Sequence, residues 1–325
     1  MVESAPVRND FPDGRILYVL PKGERIYIVG SSGGECEIKS DEWGSLGGPD
    51  SGSRSVIDCR FLDIESRMHA LLIGAAEYPN QPLEGPRFDV LAVKKSLISK
   101  GIHPKNITVI NPGKATKESI MNELSELKTK TNPGDFVFIY YSGLGTSAFD
   151  YNIRPPLSEN SAAIIPEDVA SVKTRKELLE KLIDGLRDVQ PIIRDLDVNG
   201  RFVWFVLDSE YGANFLGVGS TFKYENVVFI SSAGAHEKSA EIPRRMLSTF
   251  PTIDNEPHGA FTNTFLEAIN GLLDCDEDQN ALISYAELNR CVRSRMNERG
   301  FSHTPVMYPE LSEDNEELLS RPIFH

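Results

Sequence analysis

Five apolar runs in this chain show no alternation of apolar and polar residues: MHALLIGAA from Met68, NITVIN from Asn106, FVFIYYSG from Phe136, RFVWFVLDS from Arg201 and NVVFISSA from Asn226. A strand with one wet face alternates, so unbroken runs of this kind belong to strands covered on both faces. The segments between them carry helical spacing. FDVLAVKKSLISKG ends on a glycine, KESIMNELSELKTK follows Thr116 as N-cap, TRKELLEKLIDGLRDVQPIIRDL reads as one long helix, and FTNTFLEAINGLL as another. Strands and helices in this order predict an α/β fold, a mostly parallel sheet with helices on both faces. In such sheets the working residues gather past the C-terminal strand ends, which here read GAAEYPN, SGLGT, DSEYGAN and SSAGAHE.

Residues 1–66 follow another pattern. RILYVLPKGERIYIVG reads as a β-hairpin with Pro21, Lys22 and Gly23 between its strands, and Gly44–Ser55, GSLGGPDSGSRS, has linker composition. The segment suits a docking appendage or a flap on the larger domain. The domains expected are therefore 1–66, 67–311 and a polar tail, 312–325, with an apolar end.

Charge narrows the partners. A formal net charge of −14 opposes binding to nucleic-acid backbones and leaves cations and basic peptides open. No apolar run is long enough to cross a bilayer, and MVESAPVRNDFPDG has no apolar core after a basic start, so neither membrane nor leader is expected. Cys36, Cys59, Cys275 and Cys291 form no CxxC pair; that spacing predicts reduced thiols and a cytoplasmic protein.

At the third strand end, Ser142-Gly143-Leu144-Gly145 exposes one residue between two glycines, which predicts a turn with positive φ. Such turns present reactive or recognising side chains, yet leucine performs no proton chemistry.

Five pieces, HALLIGAAEYPNQPLEGPRFDVLAV, PGDFVFIYYSGLGT, FVWFVLDSEYGAN, FISSAGAHEKSAE and GAFTNTFLEAI, stand between Arg67 and Leu311 in an order and spacing that resemble the caspase-like cysteine peptidases (peptidase C14), especially metacaspases and their bacterial relatives. The resemblance implies the caspase-hemoglobinase fold. It also implies a general-base histidine where Leu144 stands and a nucleophilic cysteine where Glu210 stands. Thiol proteolysis needs both groups, so the resemblance implies a pseudo-enzyme. Relatives that cut after arginine or lysine line their pocket with aspartates at the positions of Asp89 and Asp208. Glu210 adds a third carboxylate, on the face of Asp208 if the strand persists. A confined cation needs fixed anionic acceptors, so these three would hold a basic side chain or a metal ion. Ser232 and His236, in the SSAGAHE loop of the same rim, are further candidate peptide contacts.

A second constellation stands apart from the resemblance. DEDQNALISYAE matches the twelve-residue EF-hand loop: Asp276, Asp278, Asn280, the Leu282 carbonyl, Ser284 and a bidentate Glu287 would ligate Ca2+. Ala281 replaces the usual glycine, and a positive φ there costs about 1 kcal/mol. The competing reading is an acidic helix cap without metal.

The expected function is therefore a non-catalytic binding or scaffold module whose partner is a protein or peptide with basic side chains, or an active caspase-like relative. Alternatives are a carboxylate- or metal-dependent hydrolase at Asp208 and Glu210, a peptidase with displaced catalytic residues, and a purely structural subunit assembled through the N-terminal β segment.

Overall fold

The computed structural model describes residues 5–8, 16–20, 27–32, 35–39, 55–58, 67–155, 157–172, 174–216 and 223–324. The chain divides into two compact units, Met1–Glu65 and Ser66–His325.

The first unit is a five-stranded antiparallel sheet of β1 (Ala5–Arg8), β2 (Ile16–Leu20), β3 (Tyr27–Ser32), β4 (Glu35–Lys39) and β5 (Val56–Asp58), in the order β2-β1-β5-β4-β3. The hairpin expected from RILYVLPKGERIYIVG does not form. Its two halves, β2 and β3, lie at opposite edges of the sheet. β2 pairs with β1, and β3 pairs with β4 so that Ser32 faces Glu35. The residues between that last pair are Gly33 and Gly34, the composition a two-residue hairpin favours over Pro-Lys-Gly. The expected linker lies almost wholly outside the described residues.

The second unit is built on a six-stranded sheet, beside which β9 (Gly145–Ser147), β10 (Ala162–Ile164) and β11 (Ile183–Asp184) form a small sheet and β14 (Glu241–Ile242) pairs with β15 (His258–Gly259). β6 (Met68–Gly74), β7 (Ile107–Ile110), β8 (Phe136–Ser142), β12 (Phe202–Asp208) and β13 (Val227–Ser231) run parallel, and β16 (Val306–Tyr308) closes one edge antiparallel. The order is β16-β13-β12-β8-β6-β7. The five unbroken apolar runs are the five parallel strands, of which β6, β8, β12 and β13 are largely buried while β7, at an edge, is half-buried at Thr108 and Val109; β16 carries no such run. Alternate residues of β8 divide between two cores, Phe138 and Tyr140 on one side, Val137, Ile139 and Tyr141 on the other. Helices α1 (Gly85–Ser99), α5 (Ala260–Ile269) and α6 (Tyr285–Glu298) supply the first core. Helices α2 (Lys117–Lys130) and α4 (Gln190–Val198) supply the second. Thr116 caps α2, its side chain accepting from Ser119 N.

One expected helix is broken. Between Thr174 and Asp197 the chain forms α3 (Arg175–Lys181), a two-residue strand β11 (Ile183–Asp184), a π turn and then α4. Gly185 is pressed against the Phe215 carbonyl, where a Cβ would stand 1.6 Å from the oxygen. Asp184 then restarts the helix by accepting from Leu186 N and Arg187 N. Helical periodicity alone does not register a contact with a distant carbonyl.

Cys275 and Cys291 are joined by a disulfide, with Cα atoms 5.4 Å apart, which corrects the expectation of reduced thiols for this pair. The chain reverses through the acidic loop before α6, so two cysteines far apart in sequence meet. The C-terminal tail also docks: Leu318, Leu319 and Ile323 are buried, and Ile323 N donates to Ile283 O. Among the described residues no helix is long and apolar enough to cross a membrane.

Candidate functional site

The chain steps from β6 outward to β7 and back to β8, which leaves a crevice between β6 and β8 at their C-terminal ends. The loop after β6 is fixed by one carboxylate. Glu167 accepts from Ala76 N and Glu77 N through one oxygen and from Gly113 N and Ala115 N through the other, at 2.7–3.0 Å.

Beside this loop lies a cavity of about 190 Å³ whose wall includes Asp89, Ser142, Leu144, Asp208, Glu210, Ser239 and Glu241. Leu144 is half-buried and its backbone is clamped, since Leu144 N donates to Tyr78 Oη and Tyr141 Oη donates to Leu144 O. Neither Gly143 nor Gly145 takes a positive φ, contrary to expectation. They are needed for space: a Cβ on Gly145 would stand 2.4 Å from Glu210 O, and one on Gly143 would stand 2.9 Å from Ala75 O. The two glycines let the strand ends approach closely.

Asp89, Asp208 and Glu210 are thus brought together, but in different electrical states. Asp89 is fully buried; Ser142 Oγ donates to its Oδ2 at 2.7 Å and His258 Nδ1 lies 2.7 Å from its Oδ1. Asp208 accepts from Ser239 Oγ at 2.8 Å and from Thr262 Oγ1 at 2.6 Å. Its carboxylate rests on Gly259, where a Cβ would come within 2.1 Å of Oδ2. Burial, then the charge of Asp89, pushes Asp208 above the usual carboxylate range. Burial also raises Glu210, against the pull of Lys238, whose Nζ is 3.8 Å away.

Sequence reasoning missed Glu241. On β14 (Glu241–Ile242) it accepts from Gly85 N, the first amide of α1, at 2.6 Å. Burial pushes it up to about 7; the Gly85 bond opposes this, and the charges of Asp89, Asp208 and Glu84 add to it. The available signal was its place at the end of the FISSAGAHEKSAE piece. Ser232 and His236 do not line the cavity. Ser232 is buried and laces to Ser209, accepting from its N and donating to its O at 3.1 Å. His236 is exposed, with its ring 3.9 Å from that of Phe149. Two other histidines do structural work unread in the sequence: His303 ties Ser232 O to Ala240 N, and His258 bridges Asp89 to Asp254.

The acidic loop is a separate centre. Carboxylate oxygens of Asp276, Asp278 and Glu287 lie within 4.8 Å of one another, and they are the sole such group among the described residues. Ala281 takes φ 67°, the left-handed conformation its position demands. The donors are all oxygen, which suits a hard cation. Glu287 also serves as the N3 residue of a capping box: its Oε2 accepts from Ser284 N and Oγ, and its Oε1 from Glu277 N and Asp278 N. Burial raises Glu287, and these bonds outweigh it to hold the carboxyl below its usual value. Asn280 Oδ1 accepts from Leu282 N, and Ser284 supplies the helix cap, so the side-chain oxygens of both are engaged in local bonds.

The profile of the caspase domain of C14 peptidases matches residues 67–316. No curated protein matches the chain. Among solved structures it is similar to protein GSU0716 from Geobacter sulfurreducens, at 16% identity over 79% of this chain and 98% of that one, with a TM-score of 0.50. At that identity the likeness concerns the fold.

Proposed function

Because the chain belongs to the caspase-domain family of C14 peptidases, we propose that it is a non-catalytic member that binds a protein segment through a basic side chain. One observation carries the reading: the cavity wall contains Leu144 and Glu210 and, among the described residues, neither a histidine nor a cysteine. The proton shuttle and the thiolate that cysteine-peptidase cleavage requires have no counterpart there. What remains is a confined space rimmed by Asp208, Glu210 and Glu241, a field that favours a cation of the size of a lysine or arginine head. The guest would come from another protein, including an active relative. A metal-dependent hydrolase at Asp208 and Glu210 is disfavoured because both Asp208 oxygens already accept from Ser239 and Thr262.

We also propose Ca2+ at the 276–287 loop, supported by its all-oxygen donors and the left-handed Ala281. The ion would hold the turn before α6 rather than enter any reaction. The Cys275–Cys291 bond favours an oxidising compartment over the reducing cytoplasm expected from cysteine spacing.

The test pairs cleavage with binding. Fluorogenic peptides bearing Arg, Lys or Asp before the scissile bond, with and without calcium, should give no turnover with the natural protein. Labelled arginine peptides should bind it. Turnover by the natural protein would overturn the non-catalytic reading, and failure to bind any basic peptide would overturn the binding one. Cleavage regained by Leu144→His with Glu210→Cys would show which side chain the cavity admits.

A further inference from the structure

His258 is completely buried, yet both its ring nitrogens face carboxylates: Nδ1 lies 2.7 Å from Asp89 Oδ1 and Nε2 2.9 Å from Asp254 Oδ1. An ionised carboxylate only accepts, so satisfying both contacts requires a proton on each nitrogen, which is the imidazolium. Asp89 is thereby fully engaged. Its Oδ1 faces the ring, its Oδ2 accepts from Ser142 Oγ at 2.7 Å, and Gly259 N donates to both oxygens at 3.2–3.3 Å. An arriving guanidinium would find no lone pair of Asp89 unspoken for.

We propose that His258 is a built-in counter-cation that withdraws Asp89 from ligand recognition and so sets how strongly the cavity prefers a charged guest. This rests on the binding reading above. The geometry sorts the carboxylates of the wall into two groups. Asp89 is neutralised from inside and both oxygens of Asp208 accept from Ser239 and Thr262, whereas, among the described residues, Glu241 keeps an oxygen beyond its bond to Gly85 N and Glu210 meets Lys238 at the rim. The guest is read by the second group.

The charged groups around His258 support the assignment. Asp89 faces it from α1 and Asp254 from the preceding loop; Asp208 lies against the adjoining Gly259, and Glu241 pairs with that glycine across the short sheet. Glu256, in the same loop, is paired with Arg244. Burial alone would pull the imidazole down, but the hydrogen bonds and charges of Asp89 and Asp254 exceed it and raise it above its ordinary value.

The experiment compares two labelled peptides, one with a single arginine among alanines and one with citrulline in its place, a neutral side chain of the same shape. With His258→Gln the guest itself must supply the cation for Asp89, so the preference for arginine over citrulline should grow about tenfold. Asp254→Asn changes a partly exposed side chain, should leave the fold intact, and should raise the preference about threefold by loosening the proton on His258. Imidazole nitrogen shifts read the ring directly: both nitrogens should be protonated at pH 7, with the titration midpoint lowered in Asp254→Asn. A neutral ring at pH 7, or an unchanged or reduced preference in Asp254→Asn, would overturn the proposal. A doubly protonated ring with no arginine peptide bound by any form would instead sink the binding reading itself.

Discussion

Two acidic centres of this molecule use the same side chains in opposite ways. At the sheet end, Asp89 and Asp208 are buried and bonded largely to other side chains, from elements far away in sequence. In the 276–287 loop, the carboxylates accept mainly from backbone amides a few residues away. The first arrangement crowds charges where water is scarce, so Asp208, Glu210 and Glu241 are all raised. The second meets its charge with local donors, and Glu287 is lowered. Crowded buried carboxylates favour an incoming cation that restores charge balance, whereas a locally satisfied loop is stable as it stands and gains from an ion only what the ion adds.

The sharpest break in that contrast should come from Gly259. A methyl there would meet the Asp208 carboxylate at 2.1 Å, whereas one at Gly271 would meet nothing within 4 Å, though at φ 72°. Gly259→Ala should therefore cost at least about 3 kcal/mol in denaturant unfolding and abolish peptide binding. Gly271→Ala should cost about 1 kcal/mol and leave binding alone. Equal costs would mean that the cavity is not tightly built around Asp208.

On the loop side, the Cys275–Cys291 bond closes a sequence separation of 16. Reducing it should lower stability by about 3 kcal/mol without changing peptide affinity, because the bond lies in the loop centre and not in the cavity wall. A parallel loss of peptide binding would couple the two centres.

The pH response sharpens the comparison further. Glu241 is raised to about 7, so its favourable contribution is complete below the unfolded glutamate value and is lost as pH rises through about 7. Glu241→Gln should accordingly stabilise the fold on the order of 2 kcal/mol at pH 8 and make little difference at pH 4. Arginine-peptide affinity of the natural protein should climb as pH passes 7, and Glu241→Gln should flatten that climb. Glu287→Gln should behave with the reverse sign, destabilising at neutral pH and becoming silent in acid.

What the sequence made legible follows the same division. The five parallel strands of the central sheet were readable because burial leaves its mark on each apolar run, whereas β16 is too short to carry one, and the acidic loop was readable because its oxygen donors lie within twelve residues. The cavity was only partly readable. Asp208 and Glu210 stand at a strand end, where the pattern points, and Asp89 was reached only through the family resemblance. Glu241 and His258 acquire their roles from partners 156 and 169 residues away, and no local pattern carries that information. The same reason defeated the helix through Gly185, broken by the Phe215 carbonyl, and the hairpin after β2, whose strands pair elsewhere.

The smallest effect tests the loop alone. Ala281 holds φ 67°, a conformation glycine adopts without steric cost. Ala281→Gly should relieve about 1 kcal/mol of strain in the ion-bound turn and, if the unbound loop relaxes, tighten calcium about fivefold in calorimetric titration. Where the turn persists without the ion, the gain should appear instead as stability of the calcium-free protein. An increase in affinity alone would show that the turn forms only around the ion. No calcium binding by either form would leave Glu287 as a helix cap and return the loop to a structural role.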